Sequence, residues 1–108
     1  MSRPDRPHDE TLIALMRDDP AFAAELLSAA LAEAQQPGGR EALLTTLRCY
    51  AEAKGMSAIA QETGLSRESL YRALSARGNP TLKTLLAVLK ALGLRLGVDR
   101  SEKSTAAA

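Results

Sequence analysis

The spacing of small and apolar residues within residues 56–75, MSAIAQETGLSRESLYRALS, is the feature that most restricts the fold of this chain. Ala60 precedes Gly64 by four residues. Leu65 follows the glycine directly, and Leu70 lies five residues further on. Two short helices that cross steeply need a small side chain where they touch, and a glycine permits the left-handed backbone of their turn. The spacing therefore predicts a helix-turn-helix whose shared core is formed by Ile59, Leu65, Leu70 and Ala73.

Apolar residues also recur at helical spacing before this unit, in segments separated by proline and glycine. We predict a first helix over residues 9–16 with Asp9 as its N-cap, and with Leu15 and Met16 on or near its buried side. Asp19 and Pro20 begin a second helix that runs to about Gln35. A third helix covers residues 40–54, with Leu43, Leu44, Leu47, Tyr50 and Ala51 on its apolar face, and ends at Gly55.

After the third helix, three hydroxyl side chains are predicted to cap helices: Ser57, Ser66 and Thr81. The apolar residues of the last helix are predicted to face mostly inward: Leu82, Leu85, Leu86, Val88, Leu89 and Leu92. Residues 94–98 alternate apolar and non-apolar side chains and are the one strand candidate. Residues 1–8 form a predicted flexible lead and residues 99–108 a disordered tail. The expected fold is all-α, with five or six helices in one domain over residues 9–98 and this short C-terminal strand.

Composition excludes several classes of protein. The chain has 108 residues, which suit one domain. Cys49 and His8 are the only cysteine and histidine, so an intrachain disulfide and a zinc site of the usual kind are excluded. No phosphate-binding glycine loop and no set of catalytic side chains is present, so we expect neither an enzyme nor a cofactor. Without a membrane-length apolar run or a signal peptide, we expect a cytoplasmic protein that does not contact the membrane.

Charge is divided unevenly along the chain. Residues 1–53 carry five basic and nine acidic side chains, whereas residues 54–95 carry seven basic and two acidic ones. A basic second half indicates a polyanionic partner there, and an acidic first half indicates a different partner. The second helix of the predicted unit also carries side chains that hydrogen-bond bases and phosphates. Its polar residues are Ser66, Arg67, Glu68, Ser69, Tyr71, Arg72 and Ser75. Glu68 fits DNA only at a base edge, because phosphate repels a carboxylate, and a merely solvated polar face is the alternative.

From about Asp19 to Val98 the chain resembles the HigA-like addiction-module antidote proteins of the Xre, or lambda-repressor-like, helix-turn-helix superfamily. The most telling segments are GLSRESLYRALS, the following GNP and LLAVLKALGL, and the upstream DDPAFAAELLSAALAEA. The resemblance implies a homodimer on operator DNA and a small RelE/ParE-like toxin as protein partner. Carried over by position, it assigns base reading to Arg67, Glu68, Ser69 and Arg72. It assigns contacts with the DNA backbone to Ser66, Tyr71 and Asn79.

Three functional hypotheses follow. The first is an antitoxin that neutralises its toxin and represses its own operon, with Asp18, Asp19 and Glu25 as candidate contacts for a basic toxin. The second is an Xre-type transcriptional regulator that has no toxin partner. The third is a helical protein-interaction module without DNA binding, against which the seven basic residues of 54–95 argue.

Overall fold

The computed structural model describes residues 6–100, and in this part of the chain all regular structure is helical. The six helices are α1 (Arg6–Asp18), α2 (Pro20–Ala32), α3 (Gly39–Lys54), α4 (Met56–Thr63), α5 (Arg67–Ala73) and α6 (Leu82–Ala91). The prediction of an all-α fold is confirmed. The predicted lead falls largely on residues 1–5 and the predicted tail largely on residues 101–108, which lie outside the described part of the chain.

The strand predicted over residues 94–98 is wrong, because residues 94–100 contain no strand. Gly93 ends α6 in the left-handed conformation, with φ of +78°. The Leu94 N–H then donates to the Leu89 carbonyl oxygen at 2.8 Å. This is the closing hydrogen bond of a helix C-terminus. An alternating pattern forms a strand only when a neighbouring strand pairs with it, and the described residues supply none.

Side-chain caps start three of the helices. The Phe22 N–H donates to the Asp19 carboxylate at 3.1 Å, as predicted for the start of α2. Ser66 and Thr81 cap α5 and α6 in the same way, which confirms both predictions. The prediction for Ser57 is wrong, because α4 begins at Met56 and already includes Ser57, and its N-cap is Gly55.

Asp9 does not cap α1, because the helix begins at Arg6 and already includes it. The Asp9 carboxylate instead accepts a hydrogen bond from the Arg48 guanidinium at 2.9 Å. Arg48 also donates to Glu52, one turn further along α3, at 2.8 Å. Burial alone would lower the pKa of Arg48, but the hydrogen bonds to Asp9 and Glu52 outweigh it and raise that pKa. This Asp9–Arg48–Glu52 cluster ties α1 to α3.

Helix α3 lies at the centre of the fold. It packs against α1, α2 and α4, and α4 in turn contacts α5 and α6. The large side chains that are almost fully buried come from most of these helices: Met16, Leu47, Cys49, Ile59, Leu70, Leu74 and Val88. Because α4 joins the two groups, the acidic helices α1 and α2 and the basic helices α5 and α6 share one continuous core.

Three leucines that were predicted on or near the buried side, or facing inward, point outward instead. Leu15 of α1 is 50% exposed, and Leu82 and Leu86 of α6 are 65% and 44% exposed. Leu82 and Leu86 are four residues apart and therefore occupy one stripe of α6. The neighbouring side of the helix supplies Val88, Leu89 and Leu92 to the core. Helical periodicity in the sequence identifies the apolar side of α6, but it cannot show that this side is wider than the surface of α6 that contacts the core.

Candidate nucleic-acid interface

Helices α4 and α5 are joined by a three-residue turn, Gly64 to Ser66. Gly64 has φ of +77°, and its N–H donates to the Ala60 carbonyl oxygen at 2.9 Å. A side chain at this position would strain the backbone, which is why the turn needs glycine. Ile59 and Leu70 are buried on the inner sides of the two helices. The turn and its core thus hold the outer side of α5 toward solvent.

The first turn of α5 is stabilised by its own serines. The Ser69 N–H donates to the Ser66 hydroxyl at 3.0 Å, and the Ser66 hydroxyl donates to the Ser69 hydroxyl at 2.9 Å. Ser66 therefore uses both of its hydrogen-bonding roles within the helix. Ser69 accepts here and keeps its own O–H as a donor for a ligand.

Three charged side chains of α5 are exposed: Arg67, Glu68 and Arg72. No hydrogen bond or ion pair within residues 6–100 engages any of them. Tyr71 is half-buried against the core, so its ring is anchored while the helix face around it stays open. The three charged members of the predicted base-reading set are thus not committed to interactions inside the protein.

A shallow open hollow of about 520 Å³ lies between α5 and the start of α6. It brings together three of the predicted residues: Ser69, Arg72 and Asn79. The others (Ser66, Arg67, Glu68 and Tyr71) lie outside its lining. The remaining residues around the hollow are Ala73, Ser75, Arg77, Gly78, Pro80, Thr81 and Thr84. The lining therefore contains two arginines, four hydroxyl side chains and one amide, and no acidic side chain, so it suits an anionic ligand.

Sequence reasoning had not assigned Arg77, Thr81 or Thr84 to a site. Thr81 and Thr84 reproduce the serine arrangement of α5: the Thr84 N–H donates to the Thr81 hydroxyl at 3.1 Å. The N–H groups of the first turn of α6 therefore lie beside the hollow, where the helix dipole favours negative charge. The available signal was a basic residue, Arg77, directly before the Gly78-Asn79-Pro80 break.

The three acidic candidates for toxin contact, two at the α1–α2 junction and one within α2, are exposed: Asp18, Asp19 and Glu25. Only Asp19 has a structural role among them, as the N-cap of α2.

In residues 6–100 no helix is long and apolar enough to cross a membrane. No group of His, Cys, Asp and Glu side chains in that range is arranged to hold a metal ion.

Comparison with known proteins identifies a family that this chain matches over most of its length. A family model described as "Probable addiction module antidote protein" matches residues 5–100. A relative from Haemophilus influenzae, described as an uncharacterized protein, is 46% identical over 71 residues, which are 66% of this chain and 73% of the relative. No solved structure gives a significant match.

Proposed function

The chain belongs to the family of probable addiction module antidote proteins, and we propose that it is an antitoxin that also binds the operator of its own operon. It acts by binding alone, in the cytoplasm, on two partners: double-stranded operator DNA and a small RelE/ParE-like toxin. The observation that carries the DNA part is the hollow beside α5, which gathers Arg72, Arg77 and four hydroxyl side chains without an acidic one.

We propose that α4 and α5 are the helix-turn-helix and that α5 lies in the major groove. Arg67, Glu68, Ser69 and Arg72 then face base edges, while Tyr71 and Asn79 contact the DNA backbone. The hollow accommodates the phosphates that flank the groove, because Arg77 and the start of α6 lie on the side of α5 that Arg72 shares. The Ser66 hydroxyl is used as a helix cap, so Ser66 contributes mainly by fixing the first turn of α5.

Replacing Arg72 with alanine is expected to weaken operator binding by about 1–3 kcal/mol and to relax preference at one base position. Lys83 is the matched control. It is exposed in the first turn of α6 but does not line the hollow, so its replacement with alanine should act weakly and equally on all sequences. Titrations of the DNA upstream of the operon and of a random duplex, each at two salt concentrations, measure both effects.

The salt dependence tests the DNA proposal as a whole. The logarithm of the binding constant should fall by about 0.9 per phosphate neutralised for each unit rise in the logarithm of salt concentration. A flat salt dependence for the unmodified protein contradicts DNA binding and leaves the interaction-module hypothesis. Equal losses for the two variants on both duplexes contradict the assigned base-reading role.

The toxin-binding part of the proposal rests on charge and position. Toxins of this kind act on nucleic acid or its machinery and are expected to be basic, so an acidic surface complements them. Asp18 and Glu25 are exposed on α1 and α2, whereas the hollow lies at α5 and α6. This arrangement lets one antitoxin bind toxin and DNA at the same time.

Replacing Asp18 and Glu25 with lysine is expected to weaken toxin binding while operator affinity stays within about 0.5 kcal/mol, as is usual for surface changes. Asp19 is left unchanged in this variant, because its loss would remove the cap of α2 and cost about 1 kcal/mol of stability. The change of the toxin's Kd, measured by calorimetry, and survival of cells that express the toxin report the result. Unchanged protection would exclude these carboxylates as the contact and leave the basic half of the molecule as the candidate toxin surface. Failure of the unmodified protein to protect would instead favour a regulator without a toxin partner.

A homodimer completes the proposal, since a two-fold operator presents successive major grooves about 34 Å apart on one face of the DNA. The described residues contain no strand through which two copies could pair. The exposed leucines of α6 are the better candidates for the contact, because Leu82 and Leu86 form an apolar stripe on the helix whose first turn adjoins the hollow. A symmetric contact there would bring two hollows to one side of the dimer.

A further inference from the structure

Arg40 joins the acidic half of the molecule to the loop beside the hollow. It is the second residue of α3, and its guanidinium Nη2 donates to the Gly78 carbonyl oxygen at 2.6 Å. The two residues are 38 positions apart in the sequence. Gly78 lies between α5 and α6, so this hydrogen bond spans from α3 to the loop of the proposed DNA interface.

Both ends of this hydrogen bond are held in close-packed turns. A Cβ atom at Gly78 would overlap the carbonyl oxygen of Ala73, and the Gly78 N–H donates to the Ser75 carbonyl oxygen at 2.8 Å. A Cβ atom at Gly39, next to Arg40, would likewise overlap the Glu33 carbonyl oxygen. Glycine is needed at both positions because preceding backbone, of α5 at Gly78 and of the segment just after α2 at Gly39, lies too close for a side chain.

The accepting carbonyl lies between two residues of the hollow. Arg77 precedes Gly78 and Asn79 follows it, and both side chains line the hollow. The Gly78 carbonyl belongs to the peptide plane that leads into Asn79, so holding its oxygen sets the direction in which the Asn79 backbone leaves the turn. A charge-assisted hydrogen bond is stronger than a neutral one and orders the group that accepts it.

We propose that Arg40 is a positioning residue for DNA binding: it holds the Arg77–Asn79 loop in the shape that meets a DNA phosphate, without contacting bases itself. This inference rests on the proposed function.

Arg17 provides a matched control for Arg40. Both are exposed arginines on the first three helices, and each donates to a backbone carbonyl oxygen; Arg17 does so to Ala53, at 3.3 Å. Ala53 is near the C-terminal end of α3, whereas Arg40 is at its N-terminal end. Alanine at either position removes one positive charge, so a difference between the two variants cannot come from net charge.

The first measurement needs no DNA. Amide hydrogen exchange of Gly78 in the free protein should become about tenfold faster in Arg40→Ala, while Arg17→Ala leaves it unchanged. The Leu47 amide, in the middle of α3, serves as the internal reference for global stability. Arg40→Lys, which still offers a donor and a charge, should recover part of the protection and keeps the experiment interpretable if the alanine variant folds poorly.

The second measurement uses operator DNA. Arg40→Ala should bind about tenfold more weakly than Arg17→Ala, with unchanged base preference and a salt slope lower by about one phosphate. Phosphate-ethylation interference should lose its strongest site next to the Arg77–Asn79 loop. A direct contact of Arg40 with DNA would instead weaken binding while Gly78 exchange stayed slow, and this overturns the inference.

Each of the remaining outcomes contradicts one part of the proposal. Unchanged Gly78 exchange in Arg40→Ala contradicts the claim that Arg40 holds the Arg77–Asn79 loop. Faster exchange with equal DNA affinity of the two alanine variants contradicts the role of that loop ordering in DNA binding. If the unmodified protein binds no duplex, the proposed DNA-binding function itself is contradicted. The exchange result alone cannot contradict that function.

Discussion

Replacing Arg48 with methionine is expected to lower the free energy of unfolding by about 3 kcal/mol, the largest stability loss among the variants considered. The side chains of Arg48 and Asp9 are only 12% and 6% exposed, and Glu52 accepts from the same guanidinium. Methionine occupies a similar volume but leaves two carboxylates without their cation in a poorly hydrated site. The value lies at the lower end of the range for buried pairs because Glu52, at 20% exposure, keeps more contact with water.

Urea unfolding measures this loss, with Arg17→Met as the control for removing an arginine from the same group of helices. The control should change stability by less than about 1 kcal/mol, since Arg17 is exposed. A triple variant, Asp9→Leu with Arg48→Met and Glu52→Leu, should recover most of the stability because no buried charge remains. Equal losses for Arg48→Met and Arg17→Met would show that the cluster contributes nothing beyond a surface pair.

Replacing Leu86 with glutamate is expected to weaken operator binding by about 10² to 10⁴-fold by separating the proposed dimer. A monomer contacts one half-site, so the second half-site no longer binds at the high effective concentration that dimerisation provides. Leu86 is 44% exposed on α6, and a carboxylate there would be buried against an apolar stripe of the partner copy. Light scattering at micromolar concentration and a titration with full and half operators measure assembly and affinity together.

Leu15→Glu is the matched control, because Leu15 is 50% exposed and lies on α1, away from the hollow. Both variants should keep the helical circular dichroism of the unmodified protein, since each places a charge at a solvent-exposed site. A Leu86→Glu protein that stays dimeric contradicts the α6 contact. A dimer lost in Leu15→Glu instead would move the interface to α1.

Much of the local structure was readable from the sequence because it depends on residues a few positions apart. Asp19, Ser66 and Thr81 begin their helices as predicted, since a cap needs only its own side chain and an N–H three residues later. Gly64 adopts the left-handed turn for the same reason. The apolar face of α3 was also correctly predicted, with Leu44, Leu47, Tyr50 and Ala51 buried.

The candidate site was readable only in part. The exposed face of α5 follows from helical periodicity, so Arg67, Glu68 and Arg72 were predicted to be accessible and are. The hollow that groups Arg72 with Arg77 and Thr84 depends on how the loop after α5 folds back under Ala73. That fold-back is set by close packing at Gly78 and by the hydrogen bond from Arg40, and neither is visible in a local pattern.

The sequence by itself determined the helical class, most of the helix boundaries and the turn at Gly64, because these follow from hydrogen bonds and periodicity within about one turn of the chain. Tertiary structure alone decided that Asp9 meets Arg48 across 39 residues and that Leu86 faces outward. It also decided that residues 94–98 form no strand. In each of these cases the free energy depends on a partner supplied by a distant segment. A buried carboxylate needs a cation, a leucine stripe needs a facing surface, and a strand needs a second strand.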